Sequence, residues 1–300
     1  MGRADEKKYM KTFSNNTKAI VFMIASMFAF ATTDTLIKVV AGGVSPAQTM
    51  FFLTLGGLIV FAAIALYQGE SVWDKRAISK VLIIRYVAEI TGLVSMVLAL
   101  ALVPLSTIGA IIQSVPLLVT FGAVLFLQER VSWRRWTSII VGFLGVLLII
   151  QPGADSFEPV VLLAFTAAVA LSVRDLTTRV TPPNMSSSSL ACYTMVATIP
   201  VPLIWMLMLG ESFVPPSAHI LSLIGMVAFG AIGYLLIIAS VRAAEVSVVS
   251  PYRYSRLIFL MAFGIIIFDE RPGFWVLIGA ALIVASGIYM MWRERLAKAQ

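Results

Sequence analysis

The chain has 300 residues, of which 60% are hydrophobic and only 12% are charged. Soluble domains usually carry about 25% charged residues, so this composition excludes water as the main solvent of the fold. The net charge of +7 does not indicate a nucleic-acid-binding protein, because the basic residues lie in short loops and tails rather than on one basic face.

Apolar runs long enough to cross about 30 Å of hydrocarbon follow one another along the whole chain. The first run is longer than a signal-peptide core and lacks a small-residue cleavage site, so we predict a retained helix after a charged tail, residues 1–18. Breaks rich in glycine or proline, such as Gly42-Gly43 and Pro182-Pro183, separate the runs. The predicted spans are 19–41, 46–67, 80–102, 105–127, 136–151, 157–179, 187–209, 219–241, 247–268 and 274–292.

The charges between these runs predict the orientation of the chain. If the N-terminus is inside, lysine and arginine concentrate on the inner side, whereas Arg271 is the clear exception on the outer side. This asymmetry fits the positive-inside rule. We therefore expect a multi-pass protein of the plasma membrane, a bacterial inner membrane, with both termini cytoplasmic and residues 293–300 as a second tail.

One cysteine and one histidine limit the available chemistry. Cys192 lies inside an apolar run, so an internal disulfide is impossible, and His219 lies at a helix entrance. There is no His/Cys cluster for a structural zinc site. We expect packing or loop roles for both residues, no metal, no cofactor and no enzymatic activity, and the chain contains no ATP-binding motif.

The sequence repeats itself at a constant offset of 141 residues. Four matches share this offset without a gap: Asp34 with Asp175, Lys38 with Arg179, Ser106 with Ser247, and Glu129-Arg130 with Glu270-Arg271. Each repeat, residues 19–151 and residues 157–292, holds five predicted spans. Because five is odd, the second repeat must cross the membrane in the opposite direction, an arrangement typical of secondary transporters with a substrate site between the repeats.

Two corresponding segments carry a family signature. The first segment reads Ala101-Leu102-Val103-Pro104-Leu105-Ser106-Thr107, then Pro116, then Phe126-Leu127-Gln128-Glu129-Arg130. The second segment reads Ala243-Ala244-Glu245-Val246-Ser247, then Pro251-Tyr252-Arg253-Tyr254, then Phe268-Asp269-Glu270-Arg271. They resemble the fourth-helix signature of the EamA branch of the drug/metabolite transporter superfamily. Gln128 and Asp269 replace the glycine that usually precedes the Glu-Arg pair, and Leu257 stands opposite Pro116.

The resemblance covers nearly the whole chain. It implies an all-α integral membrane fold, with ten transmembrane helices in two inverted five-helix EamA-type repeats around a central cavity. It also implies alternating access and a small organic substrate, since members of the superfamily carry amino acids and derivatives, riboflavin, S-adenosylmethionine, nucleotide sugars and other metabolites.

The ninth span contains the first candidate site. A charge inside a membrane helix costs roughly 2.5–3.5 kcal/mol on insertion scales, so it should face a partner or a wet cavity. Arg253 and Arg256 are three residues apart on one helix face, where two guanidinium groups can bind a carboxylate or phosphate. Tyr252 and Tyr254 add flat surface and hydroxyl groups. The alternative is that both arginines snorkel to the membrane surface or bind lipid headgroups.

The third and fourth spans contribute further candidates. Arg85 and Glu89 are four residues apart and would neutralise each other on one helix. Alternatively, Glu89 faces the arginines of the ninth span and, next to Tyr86, binds a substrate amine or a proton. Gln113 corresponds to Tyr254 at the 141-residue offset, so we predict that both line the cavity.

Ser114 and Trp205 are further candidates for the cavity wall, although packing is the commoner role of an aromatic side chain in a membrane protein.

An acid precedes a base by four residues at two corresponding places, Asp34 with Lys38 and Asp175 with Arg179. We predict that these pairs belong to gates at opposite faces of the membrane, and that Asp34, Glu89 and Asp175 are candidates to carry a proton. The alternative is that they are helix-end charges that interact with the local helix dipole.

Together these residues predict a secondary active transporter that moves a small anionic or zwitterionic metabolite, such as an amino acid or derivative, by alternating access. The alternatives are a larger aromatic or cationic substrate, of the riboflavin or S-adenosylmethionine type, and, less favoured, a channel. The expected partners are the small-molecule substrate and membrane lipid, with protons as an optional coupling ion. Either a monomer or a homodimer is compatible with the sequence.

Overall fold

The computed structural model describes residues 3–67, 69, 79–129, 132–154, 157–180 and 187–298. These residues form α-helices and short 3₁₀ turns without a strand, as hydrocarbon requires, because a helix satisfies its own backbone polar groups. The helices are α1 (Arg3–Val40), α2 (Pro46–Tyr67), α3 (Lys80–Leu102), α4 (Leu105–Ile112), α5 (Val115–Leu127), α6 (Trp133–Ile150), α7 (Val161–Arg179), α8 (Ser187–Thr198), α9 (Pro200–Leu209), α10 (Ile220–Ala243), α11 (Val246–Val249), α12 (Ser255–Phe268) and α13 (Phe274–Lys298).

Ten helical segments of the described chain are long and apolar enough to cross a membrane. They confirm the ten predicted spans, with boundaries that differ by a few residues. The first span is Asn16–Val40, and the sixth begins at Val161 instead of residue 157 because a turn at Glu158 and Pro159 precedes it. We call the side on which the first span begins the N-terminal face and the side on which it ends the far face.

The fourth and ninth spans are both broken near the middle of the bundle. The fourth changes from α4 to α5 at Gln113 and Ser114, just before Pro116, which supplies no backbone N–H. The ninth passes through a 3₁₀ turn, Ser250–Tyr254, before α12. Gln113 donates from its Nε2 to the carbonyl oxygen of Tyr254 at 3.4 Å, so the two breaks meet where the repeats cross.

Helix contacts follow the same twofold relationship. In the first repeat, α1 packs along α10 and α12 of the second repeat; correspondingly, α7 packs along α3 and α5 of the first. The second span contacts the seventh, and the fifth (α6) contacts the tenth (α13). Each of these contacts maps onto itself or onto another when the repeats are exchanged, which is the packing of two inverted repeats.

The fifth and tenth spans make a close backbone contact through two glycines. A Cβ atom on Gly145 would lie 2.7 Å from the carbonyl oxygen of Gly279, and a Cβ on Gly279 would lie 2.5 Å from that of Gly145. Small residues allow membrane helices to approach in this way. This contact closes one side of the bundle.

Candidate functional site

Charged side chains from four different spans gather between the two repeats. A charge in hydrocarbon is expensive unless it is paired or hydrated, so the partner of each one is informative. Four are arginines and three are carboxylates: Arg85, Arg174, Arg253, Arg256, Asp34, Glu89 and Asp175. We call these seven residues the central cluster.

Asp34 on α1 is paired with Arg256 on α12. The Asp34 Oδ2 atom accepts from Nη2 of Arg256 at 2.5 Å and from its Nε at 3.2 Å. The Asp34 residue is 5% exposed, and the Arg256 guanidinium also lies over the Phe30 ring. The structure therefore does not pair Asp34 with Lys38 four residues away, because α12 of the other repeat packs directly against the face of α1 that carries Asp34.

Arg174 on α7 binds two carboxylates. Its Nη2 lies 2.8 Å from Oδ1 of Asp175, and its Nη1 lies 3.6 Å from Oε1 of Glu89 on α3. Glu89 therefore pairs with Arg174, so the expectation that it meets Arg253 or Arg256 is wrong. The cause is the packing of α3 along α7, which brings Arg174 to Glu89. Arg85, on the same helix as Glu89, lies close enough to it for the two charges to attract each other.

Arg85 is buried and hydrogen-bonded to hydroxyl groups. Its Nε donates to Oγ1 of Thr178 at 3.1 Å, and its Nη1 donates to Oγ1 of Thr194. Tyr86, the next residue, is half-buried and lies near Tyr193. The Arg85 charge is thus held by dipoles and by the nearby carboxylates Glu89 and Asp175.

Arg253 differs from the other arginines of the central cluster. Its side chain is exposed, and within the described ranges no hydrogen bond or ion pair involves it. Asp175, Arg174 and Arg256 nevertheless lie close enough to act on its charge. Tyr252 beside it is 38% exposed. Arg253 is therefore an accessible cation inside a charged cluster.

Of four predicted wall residues, three are buried and one is half-buried. Gln113, Ser114 and Tyr254 are buried, and Ser114 donates to the carbonyl of Ile111. The Tyr254 hydroxyl has no hydrogen-bond partner among the described residues. Trp205 is half-buried and packs against the main apolar core. Gln113 and Tyr254 meet each other where the two broken spans cross.

Lys38 and Arg179 form ion pairs that correspond to each other. Lys38 Nζ lies 3.8 Å from Oε1 of Glu270, and Arg179 Nη1 lies 3.9 Å from Oε1 of Glu129. Lys38 and Arg179 are 141 residues apart, as are Glu129 and Glu270. The prediction paired each base with the acid on its own helix, which is wrong. The repeated Glu-Arg dipeptide was the sequence signal for the true partners.

One apolar groove, of about 800 Å³, lies elsewhere, between the fifth and tenth spans. No member of the central cluster lines it. Its lining residues are Leu144, Leu147, Leu148, Gln151, Pro152, Ala154, Trp275 and Leu282.

Comparison with known proteins decides the family. The model of a family described as EamA-like transporters matches residues 17–151 and again residues 158–292. The chain belongs to the EamA-like transporter family. This EamA-like transporter is thus a multi-pass membrane protein that carries a small molecule, and the family assignment indicates transport rather than catalysis.

Curated relatives of this EamA-like transporter are also carriers. It is 25% identical to an S-adenosylmethionine uptake transporter of Rickettsia conorii over 281 residues, 93% of this chain and 94% of that one. It is 29% identical to a riboflavin transporter of Brucella anthropi over 218 residues, 71% and 76% of the two chains. A pseudopaline exporter of Pseudomonas aeruginosa is 25% identical over 280 residues, 90% and 94% of the two chains.

The fold of this EamA-like transporter also matches a solved one. A crystal structure with a TM-score of 0.58 covers 94% of this chain and 99% of the other chain at 18% identity. At that identity, the likeness concerns the fold alone.

Proposed function

We propose that this protein is a secondary active transporter that moves a small carboxylate-bearing metabolite across the plasma membrane of a bacterial cell by alternating access, with both termini cytoplasmic. One observation carries the substrate assignment: Arg253 is exposed and lacks an ion-pair partner in the described chain. A guanidinium group binds a carboxylate bidentately, and in a partly dehydrated site this is a strong charge-assisted interaction.

The charge balance of the central cluster supports an anionic group on the substrate. Asp34 neutralises Arg256, and Glu89 and Asp175 both contact Arg174. Four arginines stand against three carboxylates, so one positive charge is in excess. A substrate carboxylate on Arg253 would balance this excess, and the transmembrane path would then hold no uncompensated charge.

Asp175 supports a zwitterion, such as an amino acid or derivative, over a simple anion. Arg174 makes both of its hydrogen bonds to the same oxygen, Oδ1, and the Asp175 side chain is 29% exposed. The second oxygen, Oδ2, could therefore accept from a substrate ammonium group while Arg253 binds the carboxylate. In the proposed site, Arg253 therefore binds the substrate carboxylate and Asp175 binds its ammonium group.

A larger aromatic or cationic substrate is the second candidate. The S-adenosylmethionine and riboflavin transporters among its relatives favour it. The exposed ring of Tyr252 and the half-buried ring of Tyr86 would offer flat surfaces for such a molecule.

The charged helix ends keep the gating role that the repeat suggests, although with new partners. We assign Lys38 to a gate at the far face and Arg179 to a gate at the N-terminal face. Asp34 and Asp175 belong to the central cluster instead, where they stay candidates to carry a coupled proton.

Thermal unfolding of the purified protein against a panel of metabolites, followed by flux into proteoliposomes for each hit, tests this function. We expect carboxylate-bearing compounds to raise the melting temperature. Arg253→Ala should abolish this shift and the flux, while Arg242→Ala, at an exposed arginine outside the cluster, should preserve both. Wild-type flux in Arg253→Ala would remove Arg253 from the site.

A further inference from the structure

Glu270 caps a helix break at the far face. The third span ends at Leu102 and α4 begins at Leu105, so carbonyl groups and N–H groups at this junction lack helical partners. The Glu270 carboxylate accepts from the N–H of Leu105 at 2.6 Å, from the N–H of Ser106 at 3.0 Å and from Oγ of Ser106 at 2.9 Å. Because Glu270 follows α12, this contact joins the second repeat to the first.

Lys38 completes the same cap from the other side. Its Nζ donates to the carbonyl of Val103 at 2.7 Å and to that of Leu100 at 3.5 Å, while it pairs with Glu270. An anion at a helix N-terminus and a cation at a helix C-terminus are both favourable. The Lys38–Glu270 pair therefore holds both sides of one helix junction. The side chains are only 16% and 10% exposed.

The backbone adopts the same local conformation just before Glu129 and Glu270. Gln128 and Asp269 adopt left-handed backbone conformations, with φ of 56° and 53°. The backbone N–H groups of Gln128 and Glu129 both donate to the carbonyl of Ala123. Likewise, the N–H groups of Asp269 and Glu270 both donate to the carbonyl of Gly264. Each glutamate is thus presented just past the end of a span, Glu129 at the N-terminal face and Glu270 at the far face.

The corresponding junction at the N-terminal face is not closed in the same way. At the 141-residue offset, Arg179 and Glu129 correspond to Lys38 and Glu270, and the break between α10 and α11, after Ala243, corresponds to the junction before Leu105. The side chains of Arg179 and Glu129 are 52% and 49% exposed, and 3.9 Å separates the paired atoms. The two corresponding ion pairs therefore differ in exposure: Lys38–Glu270 is buried at the far face, and Arg179–Glu129 is half-exposed at the N-terminal face.

We propose that Glu270 and Glu129 are alternating latches of the transport cycle. In the state seen here, Glu270 caps Leu105 and Ser106 and closes the far face. In the opposite state, Glu129 accepts from the backbone N–H groups of Val246 and Ser247, closes the N-terminal face, and Glu270 is released. This inference rests on the proposed alternating access, and it makes both glutamates positioning residues rather than substrate ligands.

Two matched variants separate the latches. Glu270→Gln keeps the shape and one acceptor oxygen but loses the charge, so it should populate the state that opens at the far face. Glu129→Gln removes the competing latch and should hold the protein in the state seen here. A charge-assisted hydrogen bond is strong enough to shift such an equilibrium about tenfold.

Labelling with a membrane-impermeant thiol reagent measures the shift. In a Cys192→Ser background, reporter cysteines are introduced by Thr107→Cys and, separately, Val248→Cys, which are corresponding positions just inside the two junctions. With Glu270→Gln we expect labelling at position 107 from the far face to become several times faster and labelling at position 248 from the N-terminal face to become slower. With Glu129→Gln we expect the reverse.

Equal labelling rates in wild type and both variants, or a change in the same direction in both, would overturn the latch. Ser106→Ala, which removes one hydrogen bond of three, is the milder variant if Glu270→Gln does not fold, and it should shift labelling in the same direction by less. The proposed function is tested separately by substrate flux and substrate-induced thermal shift in the wild type, so a carrier without these latches would still be recognised.

Discussion

Asp34 and Arg256 lie 222 residues apart in sequence, yet the Oδ2 atom of Asp34 is 2.5 Å from Nη2 of Arg256. The pair joins the first span to the ninth, and so joins one repeat to the other at the middle of the bundle. A buried pair of this kind is costly to break from one side, because the remaining charge keeps its desolvation penalty.

Asp34→Asn should therefore destabilise the protein by about 3 kcal/mol, measured by unfolding of the purified protein in detergent. Asp269→Asn, at an exposed acid on the far face, is the control and should have little effect. If Asp34→Asn unfolds like the wild type, the pair contributes no net stability. If Asp34 also carries the coupled proton, flux in the variant should no longer respond to an imposed pH gradient.

Asp175→Asn should separate recognition of an amine from recognition of a carboxylate. We expect this variant to bind a zwitterionic substrate at least about tenfold more weakly, since a charge-assisted hydrogen bond is lost. A des-amino analogue of the same substrate should bind the variant and the wild type equally. Inhibition of substrate flux into proteoliposomes by each compound measures both affinities. Equal losses of affinity for the two compounds would show that Asp175 does not bind the amine.

Gln128→Gly and Asp269→Gly should each stabilise the protein by about 1 kcal/mol. Both positions have φ values near +55°, and a left-handed backbone is costly for a residue with a side chain but not for glycine. Thermal unfolding of each variant checks this. Unchanged or lower stability in both would mean that the side chains of Gln128 and Asp269 offset the cost of the backbone conformation.

Gly279→Ala should destabilise the contact between the fifth and tenth spans by about 1–3 kcal/mol, because its Cβ would lie within 2.5 Å of the carbonyl oxygen of Gly145. Gly273→Ala is the matched control, since a Cβ there meets no atom within 4 Å. The two variants should differ clearly in melting temperature. Equal melting temperatures would mean that the helices separate at no cost.

Exchanging the charges of Lys38 and Glu270 should not restore a working gate. If the two residues acted only as an ion pair, Lys38→Glu combined with Glu270→Lys would recover flux. The hydrogen bonds to Leu105 and Ser106 require an acceptor at position 270, and a lysine has none. We expect the double variant to lose flux as completely as Glu270→Lys alone, measured in proteoliposomes at matched protein amounts; recovery would reduce the role of Glu270 to its charge.

Local properties of the chain predicted the architecture well. Span lengths follow from hydrophobic thickness, and the inverted repeat follows from a constant offset with an odd number of spans in each half. The absence of the usual glycine at Gln128 and Asp269 was visible in the sequence, but only the backbone angles explain why glycine is usual there: both positions end a helix in the left-handed region.

The sequence by itself determined that charges lie inside the membrane and that they recur by symmetry, because both facts depend only on position along the chain. The tertiary structure decided which charges meet. Helices of the opposite repeat pack directly against the polar face of each span, so Asp34 meets Arg256, Lys38 meets Glu270 and Arg179 meets Glu129. In each case the side chain meets a residue of the other repeat rather than its neighbour four residues away, since packing between the repeats brings these charges within 4 Å.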